Sequence, residues 1–72
     1  MVDQKILDNI PQRDPFLFIE KIVDHTKDSI TTSKHLTGEE DFFRGHFPGR
    51  PVFPGVLMCE AVFQTGALLM AL

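Results

Sequence analysis

Glu60 is the only charged side chain between residues 56 and 72, a stretch whose other polar side chains are Gln64 and Thr65. A carboxylate set among apolar residues must be paired, hydrogen-bonded or protonated. Burial of a carboxyl group disfavours its charged form, and such a group suits general acid work near neutral pH. Gln64 follows one helical turn later on the same face, within reach to fix the orientation of Glu60. The competing reading is that Glu60 simply faces water at an exposed edge. His46 is the natural partner, because histidine titrates near neutrality and is the commonest general base. Phe47 and Pro48 beside it favour dry surroundings. The competing reading is a loop histidine bonded to nearby backbone, which is also how His25 and His35 are read.

Gly55 adds a third element. No Ser, Thr, Asp or Asn precedes Val56, and the entry to the apolar stretch is Phe53-Pro54-Gly55. The first N–H groups of a helix starting there lack a side-chain acceptor. They are open either to water or to a ligand oxygen, which the helix dipole favours. A base, an acid and a backbone donor together suit removal of a proton next to a carbonyl, with expulsion of a leaving group. The apolar surroundings suit an acyl chain.

Other candidates are weaker. Cys59 sits next to Glu60 but on another face, with nothing basic nearby to make a thiolate, and is expected to be a buried structural residue. Met58, Met70 and the seven phenylalanines are expected in a core or an interface. Arg44 and Arg50 flank the histidine loop, either as solvated charges or to meet an acidic carrier or a phosphate. Three histidines and one cysteine, spread apart, offer no metal framework, and no cofactor motif is present.

The elements that must position these residues follow from pattern. Residues 3–10 are expected as a short helix: Asp3 can cap it, Ile6, Leu7 and Ile10 share a face, and Pro11 ends it. Residues 11–15 read as a proline-restrained loop. Residues 16–24 lean to strand, Thr26-Lys27-Asp28-Ser29 to a turn, and residues 30–37 to a second strand, an antiparallel hairpin over 16–37. Ile30, Thr32 and Leu36 should share a face, with Lys34 the odd member. Gly38-Glu39-Glu40-Asp41 reads as a solvated acidic loop. Residues 45–55 hold three prolines and three glycines, and read as a stiff extended loop. Residues 56–72 read as a helix, apolar nearly all round and needing cover on most sides.

Size and charge set limits. Seventy-two residues allow one domain, at the ~70–80 residues below which a core alone rarely suffices. One cysteine permits no internal disulfide, which fits a reducing, cytoplasmic compartment. A net charge of -3 and a pI of about 5.4 argue against nucleic acid as the main partner. The first residues lack a basic segment followed by an apolar one, so no signal peptide is expected. A glutamate and a glutamine would be costly in lipid, so no membrane span is expected at 56–72. The apolar helix instead implies self-association.

The run Gly45-His46-Phe47-Pro48-Gly49-Arg50-Pro51-Val52-Phe53-Pro54-Gly55-Val56-Leu57, followed by Glu60 and Gln64, closely resembles the signature of the (3R)-hydroxyacyl-acyl-carrier-protein dehydratases of type II fatty acid synthesis. Ile10-Pro11-Gln12-Arg13-Asp14-Pro15-Phe16-Leu17 resembles that family's N-terminal segment. Gln12 and Asp14 depart from the histidine and aromatic residue common there.

The resemblance implies an α+β hot-dog fold, a long central helix wrapped by antiparallel sheet, of which residues 1–72 would be the N-terminal half. It implies His46 as catalytic base, Glu60 as catalytic acid and the Gly55 N–H as donor to a thioester carbonyl. It implies acyl carrier protein as partner, an acidic protein that Arg44 and Arg50 suit. It also implies a homodimer or hexamer whose active site forms between subunits. An aspartate marks the related branch that also isomerises the double bond, so Glu60 favours plain dehydration. Two alternatives stand beside this. One is a non-catalytic or truncated hot-dog unit that binds acyl groups or only assembles. The other is a hot-dog thioesterase, which the 45–55 loop fits poorly.

Overall fold

The computed structural model describes residues 2–40, 43 and 53–72. Helix α1 (Gln4–Asn9) leads into strand β1 (Lys21–His25), strand β2 (Ile30–Ser33) and the long helix α2 (Gly55–Ala71). His46, Arg44, Arg50 and the loop from 44 to 52 lie outside the described residues.

Helix α1 is amphipathic as expected: Ile6 and Ile10 are buried and Leu7 packs against the core. Ile10 is already extended, at φ -129° and ψ 151°, as a residue before proline prefers. The expected cap takes a different role. Asp3 occupies the N-cap position without a side-chain capping bond. Its N–H instead donates to the Glu20 carbonyl at 2.8 Å, and its Oδ2 accepts the Ile22 N–H at 2.8 Å. The carboxylate is used across the chain rather than within the helix. At the other end, Arg13 donates to the carbonyls of Leu7 and Ile10, quenching acceptors that the helix end leaves open.

The hairpin is antiparallel and shorter than expected at both ends. Ile22 faces Thr32 and His25 faces Ile30, with a bulge at Val23. The bulge breaks the alternation that would place Asp24 on the face of Ile22. Thr26 closes the turn: its N–H donates to the Ser29 carbonyl, and its Oγ1 accepts the N–H groups of Asp28 and Ser29. Residues 16–20, expected in the first strand, are irregular; the Glu20 N–H still donates to the Ser33 carbonyl of β2, and Gln64 bonds the backbone of Phe16 and Phe18. The second strand stops at Ser33 rather than running to Thr37. There the Glu20 carboxylate takes the His35 N–H at 2.6 Å, in place of a ladder bond. The expected face of β2 also changes: Lys34 is half-buried while Leu36 is exposed.

Helix α2 is 17 residues long, about 26 Å at the usual rise. It starts one residue earlier than expected, at Gly55. Leu68 joins Ile6, Ile10, Leu17 and Ile19 in the core, with Ile22 and Ile30 packed on its edge. Thr65 accepts or donates a 2.8 Å bond with Thr32, tying the helix to β2. Much of the rest of the helix is bare. Val56, Phe63 and Met70 are 78%, 71% and 89% exposed, and Met58 and Cys59 are exposed too. Cys59 is therefore not the buried residue expected, nor are Met58 and Met70 core residues within this chain. Among the described residues, α1 and the hairpin cover this nearly all-apolar helix on one side only.

Candidate active site

The site is organised by one face of α2. Residues 60, 64 and 68 are spaced one turn apart and so line up along the axis. Leu68 anchors the row in the core, Gln64 is 1% exposed and Glu60 is half-buried.

Gln64 is held from two directions. Its Oε1 accepts the Phe18 N–H at 2.9 Å, and its Nε2 donates to the Phe16 carbonyl at 2.9 Å. These are the bonds an adjacent strand would make, supplied by one amide side chain. The remaining Nε2 hydrogen donates to Glu60 Oε2 at 3.1 Å. The reach from Gln64 to Glu60 is the one expected from their spacing. The anchoring of Gln64 by the 16–18 backbone was not visible in the sequence, because a buried glutamine does not reveal which distant backbone will satisfy it.

Phe18 packs edge-on against Phe16, with ring centres 5.0 Å apart, and against Phe53 at 6.4 Å. Phe18 and Phe53 line a groove of about 690 Å³ between α2 and β2. Ile30, Met58, Val62 and Leu69 contribute to its apolar wall, and Lys34 is its one charged lining residue among those described. Glu60 does not line this groove: at about 100° per residue it lies on the face of α2 turned away from Met58, Val62, Thr65 and Leu69.

Gly55 begins α2 with Pro54 at the N-cap, and no side chain caps the helix. The Leu57 and Met58 N–H groups both turn back to the Pro54 carbonyl. A Cβ at Gly55 would meet nothing within 4 Å, and its φ is not positive. Among the described residues, neither packing nor backbone conformation calls for glycine there. The structure thus brings together Glu60 and Gln64 and leaves the helix start at Gly55 open, whereas His46, Arg44 and Arg50 fall outside the described residues.

The arrangement can hold an acid in a fixed orientation on a face of α2 other than the one lining the groove, with backbone donors at the start of the same helix. No helix among the described residues is long and apolar enough to cross a membrane.

Comparison with known proteins agrees with this reading of the fold. Residues 10–72 match the family described as FabA-like domain. The chain is 48% identical over 65 residues to the 3-hydroxyacyl-[acyl-carrier-protein] dehydratase FabZ of Syntrophobacter fumaroxidans, covering 90% of this chain and 44% of that protein. It is 52% identical over 68 residues to the protein of the same description from Caulobacter sp. strain K31, covering 93% of this chain and 42% of that protein. It also resembles the bifunctional enzyme LpxC/FabZ of Porphyromonas gingivalis, 49% identical over 65 residues, or 14% of that protein. The chain spans less than half the length of the FabZ relatives it matches. A long helix laid on an antiparallel hairpin is a partial hot-dog fold, and with a match running through nearly all of its residues this chain belongs to the FabA-like domain family.

Proposed function

We propose that this chain is the acid-bearing part of a (3R)-3-hydroxyacyl-acyl carrier protein dehydratase of type II fatty acid synthesis. The observation that carries the reading is the Glu60–Gln64 pair, in which an anchored amide fixes the acid, and the apolar groove on another face of α2 suits an acyl chain. The names of the relatives support the substrate class.

In this reading His46 takes the C2 proton of the 3-hydroxyacyl thioester. Electrons move onto the thioester carbonyl, and the Gly55 N–H stabilises the charge that develops there. Glu60 gives a proton to the C3 hydroxyl, the C3–O bond breaks, and water leaves. The C2–C3 double bond forms as charge returns from the carbonyl, giving the trans-2-enoyl thioester. His46 holds the proton removed and Glu60 the negative charge, so one proton transfer between them or through solvent resets the site. The acyl group is carried by acyl carrier protein, whose acidic surface Arg44 and Arg50 meet. The protein works in the cytoplasm as a homodimer or a higher assembly, with His46 and Glu60 of different subunits at one site.

Substrate deuterated at C2 separates the roles. His46→Ala should abolish exchange of the C2 hydrogen with solvent as well as dehydration. Unchanged exchange and unchanged dehydration in His46→Ala would contradict the assignment.

A second reading is a unit that assembles or binds acyl groups without turnover. It is favoured by the bare apolar face of α2 at Val56, Phe63 and Met70. It entails self-association or acyl binding with no loss of water from any 3-hydroxyacyl thioester. A folded monomer in sedimentation at low concentration, with no acyl binding, would exclude it.

A further inference from the structure

We infer that Gln64 is a positioning residue that places the proton of Glu60 on Oε1, and that the backbone of Phe16 and Phe18 sets this choice. The inference rests on the reading of Glu60 as the acid and goes beyond it by naming the oxygen that delivers the proton.

The orientation of a glutamine amide is usually a matter of choosing between oxygen and nitrogen. Here the backbone removes the choice. The Phe18 N–H has only a hydrogen to offer, so the atom facing it must be Oε1. The Phe16 carbonyl has only lone pairs, so the atom facing it must be Nε2. Nε2 has two hydrogens. One is used by Phe16, and the other points at Glu60 Oε2, 3.1 Å away. Glu60 Oε2 must therefore accept. In a carboxylic acid the hydroxyl oxygen is much the poorer acceptor, so the oxygen facing an N–H is the carbonyl one. The proton then sits on Oε1, the oxygen not engaged by Gln64.

The same bond serves the acid after it has given up its proton. An N–H facing Oε2 stabilises the carboxylate that remains, and costs no rearrangement because the amide is already held by two backbone groups. A buried amide clamped at three atoms directs Glu60 in both of its states.

Nuclear magnetic resonance of the Gln64 side-chain amide in the 72-residue chain tests the placement without any need for turnover. In Glu60→Leu the hydrogen facing Glu60 should move to the position of an unbonded amide, while the hydrogen facing Phe16 stays. In Glu60→Gln, which imitates the protonated acid, the carbonyl oxygen of the introduced amide should take the place of Oε2, and both Gln64 hydrogens should keep their wild-type positions. If the two variants move the same hydrogen equally, or if Glu60→Leu moves neither, the placement is wrong. The unchanged Phe18 amide signal reports that the fold persists.

An assay of 3-hydroxyacyl-carrier-protein dehydration, made on the full-length protein, separates this from the functional reading. Gln64→Met should lower kcat about tenfold or more and leave KM unchanged. A wild-type kcat in Gln64→Met, alongside collapse in Glu60→Gln, would overturn the positioning role while the dehydratase reading stands. Full activity in Glu60→Gln would overturn the dehydratase reading itself, and the amide signals would still decide where the Glu60 carboxyl group accepts.

Discussion

The side-chain oxygen of Gln64 accepts the backbone N–H of Phe18 at 2.9 Å, across 46 positions of sequence. One polar side chain on an apolar helix thereby ties down the irregular backbone of Phe16 and Phe18. The fold and the candidate site share this amide. It anchors α2 against the start of the hairpin, and it is the group that faces Glu60.

Removing that amide should cost stability before it costs anything else. Gln64→Leu would leave the Phe18 N–H and the Phe16 carbonyl without their partner in a buried place. Each buried polar group left unsatisfied costs about 1–3 kcal/mol. A drop of the urea midpoint is expected, with faster hydrogen exchange at Phe18. An unchanged midpoint would mean that the clamp contributes nothing to the fold.

Asp3 is expected to matter through β1 rather than through α1. Its carboxylate meets the Ile22 N–H, and the helix itself has no capping bond from it. Asp3→Ala should destabilise the chain by about 1.5–3 kcal/mol, the range for a hydrogen bond to a charged group. Hydrogen exchange should rise at Ile22 and stay near wild type at Ile6 and Leu7. Loss of protection confined to α1 would restore the capping role that the sequence suggests.

The acidic loop carries a pH dependence with a definite sign. Slight burial of Glu40 works to raise its pKa, but hydrogen bonds from its own N–H, from the Thr37 N–H and hydroxyl, and from the Gly38 N–H outweigh it and hold the carboxyl below its ordinary value of 4.5. The Thr37 and Gly38 bonds measure 3.1 to 3.2 Å, and Gly38 reaches its place at φ 88°, a conformation open to glycine. A carboxyl with a lowered folded-state pKa adds stability that is fully present above the unfolded value and is lost as pH falls through the folded one. The Glu40 contribution should therefore be intact at neutral pH and fade below about pH 4.5. Glu40→Gln should flatten the acid limb of stability plotted against pH. An acid limb of unchanged slope would contradict the role of this loop.

Much of this architecture was readable from residue types alone. The period of Ile6, Leu7 and Ile10, the stop at Pro11, the turn at Thr26 to Ser29 and the apolar run to Leu72 each act through local sterics or local hydrogen bonds. The start of α2 without a side-chain cap was legible for the same reason, as was the reach from Gln64 to Glu60. What was not legible depends on distant partners. Asp3 has a capping side chain, but the Ile22 N–H competes for it from across the chain. Phe16 to Ile19 are apolar and β-prone, yet a glutamine from α2 bonds the backbone of Phe16 and Phe18. Cys59 looked like a core residue because it lies in an apolar run, whereas the hairpin covers only one side of the helix. The 45–55 loop was read as stiff and extended from its prolines and glycines, and His46 as a base from its residue type and from the family resemblance, but residues 44–52 lie outside the described residues.

The central claim is that Glu60 supplies the proton for the departing hydroxyl. Its most direct measurement is the rate of water loss from a (3R)-3-hydroxyacyl carrier protein, compared between the full-length protein and its Glu60→Gln variant at saturating substrate. A fall in kcat of about 10²- to 10⁴-fold, the usual worth of a positioned acid, is the expected result. A variant that dehydrates at the wild-type rate would show that the proton comes from elsewhere.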